Sequence, residues 1–144
     1  MKYFKKKINI GKISVGNLQK TFIVAEISAN HSQNLKKAIK LINEAKRSGA
    51  DAVKLQTYKP QSLSIKNLND LKNDKTWKFQ SRYELYKKAY LPWNFHNKLF
   101  RLAKRLKLEI FSSPFDLLSL KYLDRFKPVA YKIASPEIND YPLI

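Results

Sequence analysis

Two hydrophobic periodicities alternate along this chain, and their order limits the fold more than any other feature. Short runs that are apolar on both faces, FIVAEIS (22–28), AVKLQT (52–57), EIFSS (109–113) and AYKIAS (130–135), have strand length and strand composition. Between them lie stretches of helical period. In LKKAIKLINEAKRSG, Leu35, Ala38, Ile39, Leu41, Ile42 and Ala45 form one stripe, Ser32 or Asn34 can cap its start, and Gly49 can stop it. Pro92 opens a helix through FHNKLFRLAKRLK, and Asp116 can cap DLLSLKYLDRF. The order β-α-β-α-β-α-β, with strands buried on both sides, calls for an α/β fold whose parallel sheet lies under helices.

Two architectures satisfy that order, a doubly wound sheet and a (β/α) barrel. No glycine-rich phosphate fingerprint follows the first strand, which removes the main support for a dinucleotide fold. A barrel is therefore expected. A complete eight-stranded barrel takes roughly 250 residues, whereas this chain has 144 and reaches its fourth strand only near the end. The expectation is a partial TIM (β/α)8 barrel of about four βα units over residues 21–144, as a fragment, a truncated gene or one segment of a larger assembly. Residues 1–20 precede it, and KINIGKISVGNL alternates apolar and polar residues around Gly11 and Gly16, the pattern of a short β-hairpin.

Composition narrows the function classes. With 44% apolar and 12% aromatic residues the chain can build a core, which excludes a disordered tail. It has no cysteine, hence no disulfide and no thiolate metal site. The basic start MKYFKKKINIGKISVG lacks the apolar run of a signal peptide and no later stretch approaches a membrane span, so a cytoplasmic protein without a membrane partner is expected. The net charge of +18 invites a nucleic-acid reading. However, the lysines are dispersed and far outnumber the arginines that read base edges, so the charge reads as solvated surface and no nucleic-acid partner is expected. Trp77, Trp93 and the tyrosines form no regular array and are expected in packing. His96 falls in a helix and reads as structural; His31, in the turn after the first strand, either joins the functional rim or braces its loop.

The strands carry polar residues that a plain core does not need. Residues i and i+2 share a strand face, which groups Val24, Glu26 and Ser28 against Ile23, Ala25 and Ile27. The same rule groups Ala52, Lys54 and Gln56 against Val53, Leu55 and Thr57, and Ala130, Lys132 and Ala134 against Tyr131, Ile133 and Ser135. The apolar sets suit helices, so Glu26, Lys54, Gln56 and Lys132 should converge on one cavity. Ser112, Ser113, Ser135 and Glu137 lie where strands end, the rim on which barrel enzymes place their chemistry. Two ammonium groups with hydroxyls nearby suit a small, multiply charged phosphate or carboxylate. Two carboxylates beside it can serve as a general base or bind a polyol. The alternative is a pair of internal salt bridges, Glu26 with Lys54 and Lys132 with Glu137.

FIVAEISANH, SGADAVKLQTY, IFSSPFD and AYKIASPEI followed by PLI resemble the N-terminal half of the sialic acid synthase (N-acetylneuraminate synthase-like) family. ISANH, LQTY and YELYKKAYLPW most resemble its pseudaminic acid synthase branch, and the resemblance runs from about residue 20 to the last residue. It implies a transferase of carbohydrate biosynthesis that condenses phosphoenolpyruvate with an N-acylated amino sugar. By the same resemblance Glu26 and Glu137 are catalytic, Lys54, Ser113, Lys132 and Ser135 hold the carboxylate and phosphate of phosphoenolpyruvate, and Gln56 contacts the sugar. The family uses a divalent metal, manganese or magnesium, as a Lewis acid. Its histidine ligands belong to the second half of the barrel, so no metal ligand is expected in this chain. A homodimer is implied for the full-length enzyme, and the chain alone is expected to be inactive. Pro136 departs from the family pattern, standing where pseudaminic acid synthases usually have an aromatic residue and sialic acid synthases a glycine. Other readings of these residues are an N-acetylneuraminate or legionaminate synthase, a Schiff-base barrel aldolase with Lys132 or Lys54 as nucleophile, and a non-catalytic basic binding module.

Overall fold

A computed structural model describes residues 6–68, 70, 71, 76 and 81–144; Trp77 and residues 1–5 of the expected hairpin segment lie outside them. Near the start, β1 (Lys7–Ile10) and β2 (Ile13–Gly16) pair antiparallel, with Ile8 opposite Val15. The turn between them is made by Gly11, whose φ of 59° suits a residue without Cβ. The Lys12 N–H donates to the Glu109 carboxylate at 3.0 Å, which ties this ribbon to the main sheet.

That sheet is parallel, in the order β3 (Val24–Glu26), β4 (Ala52–Thr57), β5 (Glu109–Pro114). Helix α1 (Leu35–Arg47) connects the first two strands. The second connection holds α2 (Pro60–Leu63), α3 (Arg82–Ala89), a 3-10 turn Trp93–Phe95 and α4 (His96–Arg105). After β5 come α5 (Leu117–Asp124) and a second 3-10 turn, Ser135–Asn139.

The helices start and stop where local chemistry directs. Asn34 accepts from the Lys37 N–H, Ser81 from Glu84 and Asp116 from Ser119, each satisfying an orphan donor of a first turn. Both long helices end in the same motif. The Ala50 N–H reaches back to Ala45 O and that of Gly49 to Lys46 O; Leu108 and Lys107 repeat this to Ala103 and Lys104. Gly49 at φ 83° accepts the left-handed position easily, while Lys107 at φ 51° occupies it with a side chain. Each turn delivers the chain directly into the next strand, β4 or β5.

The core lies between the sheet and its helices. Ile27, Val53, Leu55 and Ile110 from the strand side meet Ala38 and Ile42 of α1 and Leu99, Leu102 and Ala103 of α4. The fold is thus a fragment of a (β/α) barrel with a short hairpin before it.

Two strand expectations need correction. The first strand shrinks to Val24–Glu26, because Ser28 turns to φ 46° and its N–H bonds the Glu26 side chain. The fourth, AYKIAS, is reduced to one parallel bridge between Ser112 and Tyr131 and a hydrogen bond from the Lys132 N–H to Ser112 O. Pro128 and Pro136 bracket this segment and supply no N–H, and β5 is its single described neighbour, so the ladder has little to extend along.

Candidate active site

The two faces of β4 sort as period two requires. Ala52 apart, the helix-facing Val53, Leu55 and Thr57 are fully buried, whereas Lys54 and Gln56 on the other face are partly exposed. Register then sets neighbours: Glu26 lies beside Lys54, Lys54 beside Phe111, and Gln56 beside Ser113. Glu26 uses both oxygens, accepting from the Ser28 N–H at 2.9 Å and pairing with Lys54 Nζ. One of the two internal salt bridges considered from the sequence is therefore present.

The other is not. Among the described residues Lys132 and Glu137 form no ion pair, although the lysine's charge acts on the carboxyl. Glu137 is only 7% exposed and its Oε2 has no hydrogen-bond partner. Burial pushes its pKa up, Lys132 pulls it partly back, and Asp140 adds to the rise. Ser113 is in a similar state: 1% exposed, with an unpartnered Oγ. His31 Nε2, Asp116 Oδ2 and Ser119 Oγ are also buried without partners, and what singles out Ser113 and Glu137 is their place at the rim that the sequence pointed to. Ser135, by contrast, is exposed at the start of the second 3-10 turn, and Lys132 is half-buried next to β5.

Above the C-terminal ends of the strands lies a cavity of about 550 Å³. Gln56 and Glu137 line it, with Tyr58, Arg82, Tyr86 and Phe115. Glu26, Lys54, Ser113, Lys132 and Ser135 are not in its wall, so the predicted residues divide between this cavity and the sheet face. Tyr58 packs edge-on against both Tyr86 and Phe115, at centroid distances of 5.9 and 5.4 Å, and makes one aromatic side. Arg82 is held by Asp70 through its N–H at 2.9 Å and its guanidinium at 3.5 Å. Sequence reasoning missed this wall. Tyr58 and Phe115 directly follow strands, which was a usable signal; nothing in the periodicity brings Arg82 or Tyr86 there. A second cleft of about 470 Å³, lined by Phe100, Phe126 and Lys127 among others, includes Glu109 at the start of β5 and is away from this rim.

Among the described residues no three His, Cys, Asp or Glu side chains gather to hold a metal ion. His31 is buried and accepts the Gln33 N–H at Nδ1, so it braces its own loop, and burial lowers its pKa. His96 is buried with both ring nitrogens engaged. Among the described residues no helix is long and apolar enough to cross a membrane.

Residues 41–144 match the model of the NeuB family. The chain is 44% identical over 136 residues to a pseudaminic acid synthase of Campylobacter jejuni, covering 89% of this chain and 39% of that protein. It is 36% identical over 131 residues to an N,N'-diacetyllegionaminic acid synthase of Legionella pneumophila, covering 90% and 37%. An N-acetylneuraminic acid synthetase structure from Leptospira borgpetersenii superposes with a TM-score of 0.81 at 27% identity, covering 95% of this chain and 44% of that one. The chain thus spans about two fifths of the length of the curated relatives it matches.

Proposed function

The chain belongs to the NeuB family, and from that premise we propose that it is the N-terminal portion of a phosphoenolpyruvate-dependent nonulosonic acid synthase of the pseudaminic acid type. In this reading Lys54 and Lys132 neutralise the carboxylate and phosphate of phosphoenolpyruvate, and Ser113 and Ser135 supply directed donors. Gln56 contacts the N-acylated amino sugar. The observation that carries the reading is the interior strand face, where a buried, unpartnered Ser113 hydroxyl stands beside Gln56 and one strand from the Lys132 backbone.

The chemistry follows from the reactants. C3 of phosphoenolpyruvate bonds to the aldehyde carbon, the aldehyde oxygen takes up a proton, and water adds at C2 before phosphate leaves. Glu137 suits the proton transfer, because burial raises its pKa and lets the carboxyl hold a proton closer to neutral pH than an exposed one does. Glu26, tied to Lys54 and the Ser28 N–H, keeps the ammonium aimed into the interior. The proposal includes a divalent cation, manganese or magnesium, with ligands in the portion of the synthase beyond this chain, and a homodimeric, cytoplasmic enzyme. Turnover is expected to need that portion, since the chain matches only about two fifths of its relatives.

Titration of the chain with phosphoenolpyruvate, followed by amide NMR, tests the reading. Saturable shifts at Ser113 and Lys132 are expected. Absence of binding overturns it, as does a covalent adduct with pyruvate under borohydride, which would mark a Schiff-base lysine.

A further inference from the structure

Three polar side chains sit where the pattern calls for an apolar layer. Thr57, His96 and Ser112 are each 0% exposed, and the two strand residues share the helix-facing side with Leu55 and Ile110. Their hydrogen bonds form one chain. Ser112 Oγ meets Thr57 Oγ1 at 2.7 Å, Thr57 Oγ1 meets His96 Nε2 at 2.8 Å, and His96 Nδ1 meets the Trp93 carbonyl at 3.2 Å.

Donor counting fixes its direction. A carbonyl only accepts, so Nδ1 carries the ring proton. Burial lowers the His96 pKa to about 4, the ring is neutral near pH 7, and Nε2 must accept. The Thr57 hydroxyl therefore donates to His96, and its oxygen receives the Ser112 proton. The Trp93 carbonyl also accepts from the Tyr122 hydroxyl of α5, and the Trp93 indole N–H donates to Tyr58 O at 3.2 Å. The chain thus gathers β4, β5, α4 and α5 beneath the rim.

We propose that this Ser112–Thr57–His96 relay is a positioning device that sets Ser113 and Gln56, on the opposite face of the same two strands, for ligand binding. Gln56 precedes Thr57, Ser113 follows Ser112, and Gln56 and Ser113 are register partners. The relay acts at the strand ends. Thr57 closes β4 and pairs in register with Pro114, which closes β5, and the Thr57–Ser112 contact ties the two ends side chain to side chain. It also separates two adjacent serines by role: the Ser112 proton is committed to Thr57, while Ser113 Oγ has no protein partner. A fully satisfied buried network favours one arrangement, where an apolar cluster would tolerate several. The inference rests on the proposed function for the identity of the ligand, and on the hydrogen-bond geometry around a neutral His96 ring for the relay.

The test uses the whole chain with Thr57→Val and Thr57→Ser. Valine keeps the shape and removes both hydrogen bonds; serine keeps the hydroxyl. Thr57→Val is expected to weaken phosphoenolpyruvate binding about tenfold and Thr57→Ser less than about twofold. Imidazole 15N shifts should report an unprotonated Nε2 in wild type. Equal affinity of the folded valine variant, or a proton on Nε2, overturns the proposal. If the wild-type chain binds no phosphoenolpyruvate, the proposed function fails, and the relay is judged on the amide shifts of Ser113 and Gln56. Movement of these in Thr57→Val but not in Thr57→Ser supports it, and unchanged shifts overturn it.

Discussion

The two faces of the β3–β4–β5 sheet are written in the same strands, one residue apart, yet they are built to different ends. Toward the helices, Ile27, Val53, Leu55 and Ile110 are buried against apolar partners. Toward the interior, Glu26 and Lys54 carry paired charges, and beside Gln56 the Ser113 hydroxyl has no partner. The first face is satisfied by the protein, and in the proposed function the second receives the ligand. In that reading folding energy and binding energy fall to alternate residues of one backbone, and a change on either face should report mainly on its own side, except at Thr57 and Ser112, whose relay is proposed to act across the sheet.

Leu55→Ala gives the hardest test of that separation. Leu55 is 1% exposed, and truncating such a side chain is expected to cost about 2–5 kcal/mol in urea unfolding, the penalty of lost transfer energy and a residual cavity. Lys132→Met should do the reverse, weakening phosphoenolpyruvate binding by roughly 10- to 100-fold in a calorimetric titration while leaving the unfolding midpoint nearly unchanged. An equal loss of stability in that variant would mean that the interior lysine also holds the fold.

A smaller effect concerns pH. Because burial raises the Glu137 pKa in the folded chain, the native state retains a proton that the unfolded state releases. Stability should therefore fall as pH rises from the ordinary carboxylate range through the raised folded value. Glu137→Gln should flatten that dependence in a pH series of thermal melts. The smallest change is expected for Glu26→Gln. Its carboxylate is 41% exposed in the pair with Lys54, and such half-solvated pairs contribute less than about 1 kcal/mol. A larger loss in denaturant unfolding would show that the interior face is structural after all.

Much of this was legible in advance. Helix α1 followed from its stripe, its Asn34 cap and Gly49, and the apolar and polar faces followed from alternation. The fourth strand did not, because strand pairing depends on what lies alongside, and among the described residues AYKIAS has β5 as its one strand neighbour between two prolines. Tyr58 and Phe115 could have been flagged as rim residues from their place just after strands. Arg82 and Tyr86 could not, since α3 reaches the cavity through a long polar connection without periodic signal.

The sequence alone determined which residues share a face, because a strand's two-residue period is a property of the backbone and needs no partner. Tertiary structure decided how the polar groups were spent: Glu26 on Lys54, Ser112 on Thr57, and Glu137 Oε2 and Ser113 Oγ on nothing within the protein. Hydrogen bonds require a donor and an acceptor at a set distance and direction, and these meet only after segments far apart in the chain have packed together.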